Sequence, residues 1–419
     1  MEHLLAEWYD IRDLGNAVGH FLTWVDDRGG PSWLPYFVSG IIGVVAILLW
    51  AVLSQLGFVW IERRLIGRIQ VRLGPNRVGP FGLLQPLADA LKVLTKEMIT
   101  PANVDRLLFW GAPAVVVMPA LVVFAVLPFG EHMQLTDLSV GLLFVIAVGS
   151  VNSLIVFTAG WSSSNKYSLL GAMRTIAMLI SYELIQVLAL LAVAVYTNTM
   201  RMGGVVAWQD HYNVWLIFLQ PLPVFAYALA GAVEINRTPT DIAEAESEIV
   251  AGYHTEYGGI RWGMFQVAEY IAGFAIAAIV ATVYLGGWTL FGLEEWVPGW
   301  LIFLGKVYTY FFLFIWLRGT LPRLRIDQLM GFAWKYLLPL MLVNILVSGF
   351  EVLLWQEKDL SAGVVLPIFA IVNAGLTVAM MVGWARVMGH TGSIGEPRRA
   401  QLISDVGGVY YEPLPGGRA

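Results

Sequence analysis

Long apolar stretches alternate with short polar ones along most of this chain. Nine of them approach or exceed the roughly 20 residues that an α-helix needs to cross a bilayer, at 36–61, 107–127, 138–160, 169–197, 214–235, 262–286, 300–317, 331–353 and 362–385. Lipid offers no partner for unpaired backbone groups, so such spans must be helical. The pattern therefore predicts an all-α polytopic membrane bundle of about nine transmembrane helices.

The basic residues predict how this bundle is oriented. If the N-terminus lies outside, most of the 25 lysines and arginines fall in inner segments, and the outer segments hold only Arg12, Arg28, Arg201 and Lys358. Basic residues collect on the cytoplasmic side of membrane proteins. We therefore expect the N-terminus outside and the C-terminus in the cytoplasm.

Composition excludes several kinds of site. With 58% hydrophobic residues and a mean hydropathy of +0.69, the chain is not an ordinary soluble domain. It has no cysteine, which excludes an iron–sulfur cluster in its usual form. Its six histidines fall in tails or loops, which speaks against a haem held between spans. We expect no metal site, and chemistry based on carboxylates, basic residues and a guest molecule.

The chain divides into four predicted segments. Residues 1–34 lack the basic start of a cleavable signal and carry apolar residues at helical spacing, which predicts an outer amphipathic extension. Residues 35–355 form the transmembrane core, and 356–386 add one more transmembrane helix. Residues 387–419 are rich in glycine and proline, which is typical of a loosely ordered cytoplasmic tail.

The first inner loop, residues 62–97, is long and organised. Its "GPNRVGPFG" is typical of a turn, and Pro86 then suits the first turn of a helix that lies along the inner membrane surface. Asp89 on that helix lies among cations, and ion pairing alone would explain it. The basic residues of the loop, Arg68, Arg72 and Arg77, are equally explained as an orientation signal.

Several charged residues lie inside predicted spans, and four of them stand out: Glu183, Glu234, Glu269 and Lys306. An ionisable residue near the bilayer centre costs on the order of 3 kcal/mol, so each is a functional candidate. A structural partner or snorkelling would explain any one of them. Three glutamates on three consecutive spans are harder to explain in that way, and they favour a function.

An acidic loop joins two of these spans. It carries Glu244, Glu246, Glu248 and Glu256, and Asp241 with Glu244 is typical of a capped helix start. A capped helix accounts for two of these acids and leaves the others unexplained. Crowding and desolvation raise the pKa of carboxyl groups toward neutral pH, where they pass protons. The loop and the spans together predict a proton-holding path from an inner vestibule into the membrane.

Four long motifs carry a family resemblance. They are "ERRLIGRIQVRLGPNRVGPFGLLQPLADALKVLTKE", "GWSSSNKYSLLGAMRTIAMLISYEL", "EINRTPTDIAEAESEIVAGYHTEYGG" and "RGTLPRLRIDQLMGFAWKYLLPL", and they occupy the inner loops in order. With them the chain resembles the H-subunit family of respiratory complex I, the proton-translocating NADH:quinone oxidoreductase, over about residues 36–355.

The resemblance implies a setting for the chain in a bacterial plasma membrane. The inner loops would form the floor of a quinone chamber, against the iron–sulfur subunit that carries the terminal cluster and other peripheral quinone-site subunits. FMN and iron–sulfur clusters would lie only in partner subunits, and this chain would hold no redox centre. Small and antiporter-like membrane subunits and lipid would be its other neighbours, with no nucleic acid.

The resemblance also assigns roles to residues. It places in the quinone chamber Arg63, Gln85, Asp89 and Arg318. It places on a proton path Asp89, Glu244, Glu246, Glu248, Glu256, Glu234, Glu183 and Glu269. The third motif departs from the family pattern, because Thr240 and Ala243 stand where the family usually has Phe and Pro.

Three other functions remain open on the sequence. A stand-alone proton-coupled transporter would use the same acids, but it predicts inverted repeats, and no clear repeat is present. The membrane subunit of a related hydrogenase would share the scaffold without quinone, and the fit of "LGPNRVGPFGLLQPLADA" favours the quinone branch. A membrane anchor without a proton role would leave the buried glutamates unexplained.

Overall fold

The structure is a computed structural model that describes residues 33–131, 133–238, 240–242, 250–293, 296–357 and 361–390. Within these ranges the chain forms helices joined by turns. Several predictions fall outside them: the outer N-terminal helix, the helix start at Glu244, the acids Glu246 and Glu248, the replacement at Ala243, and the tail beyond residue 390.

The described α-helices follow one another along the whole core. They are α1 (Trp33–Ile69), α2 (Gln85–Thr95), α3 (Arg106–Val122), α4 (Gly141–Ser162), α5 (Lys166–Thr197), α6 (Met202–Tyr212), α7 (Leu216–Leu219), α8 (Pro221–Glu234), α9 (Ile260–Tyr284), α10 (Gly299–Thr320), α11 (Ile326–Phe332), α12 (Leu338–Glu357) and α13 (Ala362–His390). A π-helical turn, Ala333–Leu337, continues α11 into α12.

The predicted class is confirmed. Among the described residues, eight helical segments are long and apolar enough to cross a membrane, and the shorter α8 is apolar as well. Their sequences contain long runs of uncharged residues. In lipid, such a segment satisfies its backbone hydrogen bonds as a helix. The protein is an all-α, multi-pass membrane bundle.

The fifth predicted span, 214–235, differs from the expectation of one continuous helix. It is broken into α7 and α8 at Gln220, whose φ of −131° and ψ of 59° are not helical. Pro221 and Pro223 fit only the first turn of a helix, because proline has no N–H to donate to the preceding turn. The buried Gln220 side chain occupies the break, and its Nε2 donates to the carbonyl of Ala192 at 3.1 Å.

Helix α9 lies at the centre of the bundle and α1 at its edge. In the most apolar stretch of α9, 78% is buried inside the protein, whereas in that of α1 only 11% is buried. Helix α5 packs against α4, α8 and α12, and α9 packs against α3 and α10. The inner parts of α5 and α9 therefore face other helices, so charged side chains on them must find partners inside the protein.

A helix is present where the interfacial helix is predicted, and it is α2; its position along the membrane surface stays a prediction. Pro86 lies in its first turn, and Leu87, Leu91 and Leu94 are exposed along one side. The preceding turn depends on Gly82, which has φ +77°, and a Cβ there would lie 2.3 Å from the carbonyl oxygen of Pro75. Only glycine fits such a close approach in the left-handed region. This turn brings α2 back against the inner end of α1.

Candidate functional site

The three glutamates predicted within the spans line one cavity. Glu183 of α5, Glu234 of α8 and Glu269 of α9 all border a space of about 70 Å³ between α3, α4, α5, α8 and α9. Most other side chains around it are apolar, among them Val116, Val145, Leu179, Ala230, Phe265 and Ile276. The structure thus brings together acids that are up to 86 positions apart along the chain.

Glu234 receives a neutral donor from the neighbouring helix. Gln186 Nε2 donates to Glu234 Oε2 at 2.8 Å. Glu183 lies one turn before Gln186 on α5, so both face the same side of that helix. The chain turns out of α8 directly after Glu234, because Asn236 adopts the left-handed conformation at φ 48° that asparagine tolerates at helix ends. The carboxyl group of Glu234 is therefore fixed at the end of a helix, half-buried and beside the cavity.

Glu269 connects this cavity to a second, smaller one. Its Oε1 accepts from Tyr253 OH at 3.4 Å and from Asn236 Nδ2 at 3.5 Å. Glu269 also borders a space of about 20 Å³ that includes Glu62 and Arg318. One carboxyl group therefore lies between the glutamate cavity and the C-terminal end of α1.

The second cavity contains an ion cluster that the sequence did not predict. Glu62 pairs with Arg318, and it lies 3.9 Å from Arg237 Nη1. Tyr270 OH donates to Glu62 Oε2 at 2.7 Å, and the guanidinium of Arg237 lies over the Tyr270 ring at 4.4 Å. Glu62 is only 6% exposed. This acid is held by two cations and a hydroxyl group, a set that satisfies a buried carboxylate.

A third cluster lies on the surface, at the C-terminal end of α1 and on α2. Arg63 pairs with Asp89, whose Oδ1 also accepts from Lys92 Nζ at 3.3 Å and Gln85 Nε2 at 3.4 Å. Partial burial opposes ionisation of Asp89, but its hydrogen bonds and charge interactions with Arg63 and then Lys92 outweigh this and lower its pKa. Three residues predicted for a chamber thus form one polar surface: Arg63, Gln85 and Asp89.

Arg318 and Glu256 each have a partner outside the residues with which they were predicted. Arg318 pairs with Glu62, whereas the next residue along α1, Arg63, pairs with Asp89. Glu256 is half-buried and accepts from Asn165 Nδ2 at 2.6 Å. Asn165 also caps α5 through Tyr167 N, so this contact ties the acidic loop to a helix start.

The replaced residue Thr240 has a local role. Its hydroxyl donates to the carbonyl of Arg237 at 2.8 Å, and its backbone N–H donates to the same oxygen at 2.9 Å. The side chain is fully buried. Threonine therefore closes the turn after Arg237 with a hydroxyl hydrogen bond that phenylalanine, which has no hydroxyl group, could not make.

Lys306 is the fourth charged residue singled out within a predicted span. It belongs to α10, and its side chain reaches the end of α9. Its Nζ donates to the carbonyls of Leu285, Gly287 and Thr289 at 2.5, 2.9 and 2.5 Å. These carbonyls follow the last turn of α9, where backbone acceptors have no intrahelical donor. Lys306 therefore stabilises the helix end, which is the structural explanation that the sequence left open.

Comparison with known proteins identifies the family. A family model described as NADH dehydrogenase matches residues 42–349. The NADH-quinone oxidoreductase H-subunit of Dehalococcoides mccartyi strain CBDB1 is 47% identical over 350 residues, which cover 83% of this chain and 94% of that protein. The chain belongs to the H-subunit family of NADH-quinone oxidoreductase.

Two further members of this family are similar to this chain over nearly their whole length. The NADH-quinone oxidoreductase H-subunit 1 of Geobacter metallireducens is 46% identical over 320 residues, or 74% of this chain and 95% of that protein. The H-subunit of Bacillus cytotoxicus is 44% identical over 320 residues, or 76% and 95%. The resemblance inferred from the four motifs is therefore confirmed, and the chain is a membrane subunit of an enzyme complex.

Sequence reasoning missed Glu62 as a site residue of this H-subunit, although a signal was present. Ala51, Ser54, Phe58 and Glu62 follow one another at helical spacing and are all buried. Small and polar residues on one side of an otherwise apolar span indicate a face that packs on protein rather than lipid. Arg63 lies just off that face and is half-exposed.

Proposed function

We propose that this protein forms part of the quinone-binding site of NADH-quinone oxidoreductase and couples quinone reduction to proton translocation. One observation carries the proposal: Glu183, Glu234 and Glu269, from three consecutive predicted spans, border one cavity inside the bundle. Acids in a membrane interior are costly and mark proton relays when they cluster. Electrons would come from NADH through FMN and iron–sulfur centres held by partner subunits.

The quinone end of the site would lie at the Asp89 cluster. Arg63, Gln85 and Lys92 offer donors there, and the exposed leucines of α2 offer an apolar surface beside them. A quinone has two carbonyl oxygens on an apolar ring with an apolar tail, so donors next to an apolar face suit it. Iron–sulfur and other peripheral subunits would cover this surface from the cytoplasmic side, with the N-terminus of this chain outside.

The proton path would begin behind this surface and lead inward. Glu62 and Glu269 border the smaller cavity, and Glu269, Glu234 and Glu183 border the larger one. A space of about 70 Å³ has room for about two water molecules, at the roughly 30 Å³ that each occupies in the liquid. Side chains and water together would then offer a continuous set of proton acceptors. A change of charge at the quinone end would reach the cavity through the ion cluster around Glu62.

The acids Glu244, Glu246, Glu248 and Glu256 would join this path from the acidic loop. Glu256 has a neutral partner, Asn165, and lies at the inner end of α5. The contact between Arg323 Nη2 and Asp241 Oδ1, at 3.5 Å, holds the start of the loop close to the segment after α10. We propose that these acids supply protons from the cytoplasm to the cavity.

The test replaces Glu234 in the complete complex in membrane vesicles. In Glu234→Gln the amide keeps the size of the side chain and cannot carry a proton, so NADH:quinone turnover and proton uptake should both fall. We expect a loss on the order of a hundredfold, at the low end of what removing a proton-transfer group costs. Both rates are recorded on the same vesicles and normalised to the amount of assembled complex.

Glu357→Gln is the matched control, because Glu357 is an exposed acid at the end of α12. It should leave both rates at the wild-type level. If Glu234→Gln assembles and also keeps both rates, Glu234 is a structural charge and the proposed proton path is wrong. If turnover persists while proton uptake falls, the coupling role stands and the acid acts after quinone reduction.

A further inference from the structure

A second buried acid lies on α12, away from the glutamate cavity. Glu351 is 5% exposed and accepts hydrogen bonds from Tyr196 OH of α5 and from Asn373 Nδ2 of α13, the latter at 2.9 Å. Asn373 also donates to the Leu219 carbonyl of α7 at 2.8 Å. Both donors to Glu351 are neutral, unlike the arginines around Glu62. The acid thus lies where three long helices and the broken span meet.

Glu351 ends a stripe of buried polar residues along α12. Asn344, Ser348 and Glu351 lie at helical spacing on one face and are 6%, 2% and 5% exposed. Ser348 Oγ accepts from Gln220 Nε2 at 3.3 Å, at the break between α7 and α8. A polar stripe in a membrane helix must satisfy its groups inside the protein, because lipid cannot.

Two amide oxygens, one on this stripe and one on the neighbouring Gln220, indicate bound water. Gln220 Oε1 and Asn344 Oδ1 are buried, and neither accepts a hydrogen bond from any residue that the structure describes. Gln220 itself is 0% exposed. Buried amide oxygens are almost always hydrogen-bonded in native proteins, and ordered water is the usual donor where protein offers none. The stripe therefore has the polarity of a hydrated channel wall.

The stripe begins close to the outer end of the glutamate cavity. Leu190 of α5 borders that cavity, and Gln220 Nε2 donates to the carbonyl of Ala192 two residues further along the same helix. Gln186 and Tyr196 are ten residues apart on α5, which corresponds to about 15 Å along a helix. On the proposed orientation, this direction leads from the cavity toward the outer face.

The acid and its amide donor both lie beyond the family match. The match to the NADH dehydrogenase family ends at residue 349, whereas Glu351 and Asn373 follow it. Helix α13 packs against α7 and α12, so it completes the surroundings of Glu351. The acid and the amide therefore belong to a part of the chain that the family match does not cover, whereas Tyr196 lies inside the match.

We propose that Glu351, closed by Tyr196 and Asn373, is a proton-binding site at the outer end of a hydrated path from the glutamate cavity. Its carboxyl group accepts one proton from the inner side and releases one toward the outer side, and no other bond changes. The Tyr196 hydroxyl is the titratable group in contact with it, and that hydroxyl both donates and accepts, so it passes a proton without a net charge. The link to the cavity rests on the function proposed above, while the binding site itself does not.

The test is redox-induced infrared difference spectroscopy on the complete complex in membranes. A carboxyl group that gains or loses a proton during turnover gives a carbonyl-stretch band. We expect this band in the wild type, its loss in Glu351→Gln, and a shifted band in Glu351→Asp. Asn373→Leu should shift the band, because it removes one hydrogen bond to the acid.

Tyr196→Phe keeps the test usable if Glu351→Gln does not assemble. It removes only the hydroxyl group and should also shift the band. If the difference spectrum of Glu351→Gln, or failing that of Tyr196→Phe, equals that of the wild type, the proposal is overturned. A band lost in Glu351→Gln, together with wild-type rates in Glu234→Gln, would refute the glutamate cavity alone. If instead Glu351→Gln keeps the wild-type band and Glu234→Gln loses both rates, the outer site alone is refuted.

Discussion

Glu62 and Glu234 are both acids inside the bundle, but they have opposite kinds of partner. Glu62 lies with Arg318 and Arg237, whereas Glu234 accepts a hydrogen bond from the amide of Gln186. A neighbouring cation favours the charged form of a carboxyl group. A neutral amide donor serves a carboxylate and offers its own oxygen to a carboxylic acid.

The kind of partner indicates which acids are suited to carry protons. An acid held between two arginines keeps its charge, and it acts on its surroundings as a fixed ion. An acid with a neutral partner, on a cavity with room for water, exchanges its proton at lower cost. Glu62 therefore suits a role in transmitting charge from the surface, and Glu234 suits a role in moving protons. Substitutions at Glu62, Gln186 and Asp89 test this division.

The largest effect is expected from Glu62→Gln. It leaves the cations of Arg318 and Arg237 inside the protein without their shared carboxylate, and breaking a buried ion cluster in this way costs about 3–5 kcal/mol. We expect much less assembled complex in the membrane, measured by native electrophoresis with an NADH dehydrogenase activity stain. The thermal transition of the purified complex should fall as well.

A double variant separates the loss of pairing from the loss of the acid itself. Glu62→Gln with Arg318→Gln removes one of the stranded cations, so it should recover part of the assembly that Glu62→Gln alone loses. Normal assembly and an unchanged thermal transition in Glu62→Gln would contradict the description of Glu62 as a fixed ion.

An intermediate effect is expected from Gln186→Met, which removes the donor to Glu234 while nearly keeping the side-chain volume. A buried acceptor that loses its donor costs roughly 1–3 kcal/mol. The complex should assemble, and proton uptake with NADH oxidation should slow by about tenfold, since about 1.4 kcal/mol corresponds to that factor. Gln356→Met is the control, because Gln356 is exposed on α12. Equal rates in both variants would show that Gln186 does not orient Glu234.

Much of this bundle could be predicted from the sequence because lipid imposes a strict rule. Apolar length alone indicated the long helices, and the cost of charge in lipid singled out Glu183, Glu234 and Glu269 as candidates. Pro86 and the leucines after it indicated α2 in the same way. In each case one local property of the chain decides the outcome.

What could not be predicted depends on contacts between distant segments. Whether Glu62 or Arg63 faces the protein depends on which helices pack against α1, and only Glu62 is buried. The break at Gln220 required a buried amide to satisfy Ala192, 28 positions earlier. Glu351 lies near the end of the predicted span 331–353, and its burial depends on partners 155 and 22 positions away, on α5 and α13.

The smallest effect is expected from Asp89→Asn, at the surface cluster. The Arg63 side chain is 48% exposed and that of Asp89 24%, so solvent screens the pair and its loss should cost about 0.5 kcal/mol. The pKa of Asp89 is lowered from its ordinary value of 3.8. A lowered pKa means that ionised Asp89 stabilises the folded protein above the ordinary value, and that this stabilisation is lost only as pH falls through the lowered one.

The difference in thermal stability between wild type and Asp89→Asn should therefore stay constant from about pH 8 to about pH 5. Thermal unfolding of the purified complex at several pH values measures it, with Asp327→Asn as a control because Asp327 is an acid in the first turn of α11. A difference that shrinks between neutral pH and about pH 5 would mean that Asp89 titrates above its ordinary value. Asp89 would then resemble the proton-carrying acids more than the fixed ions, and the division between surface charge and inner carrier would fail at this residue.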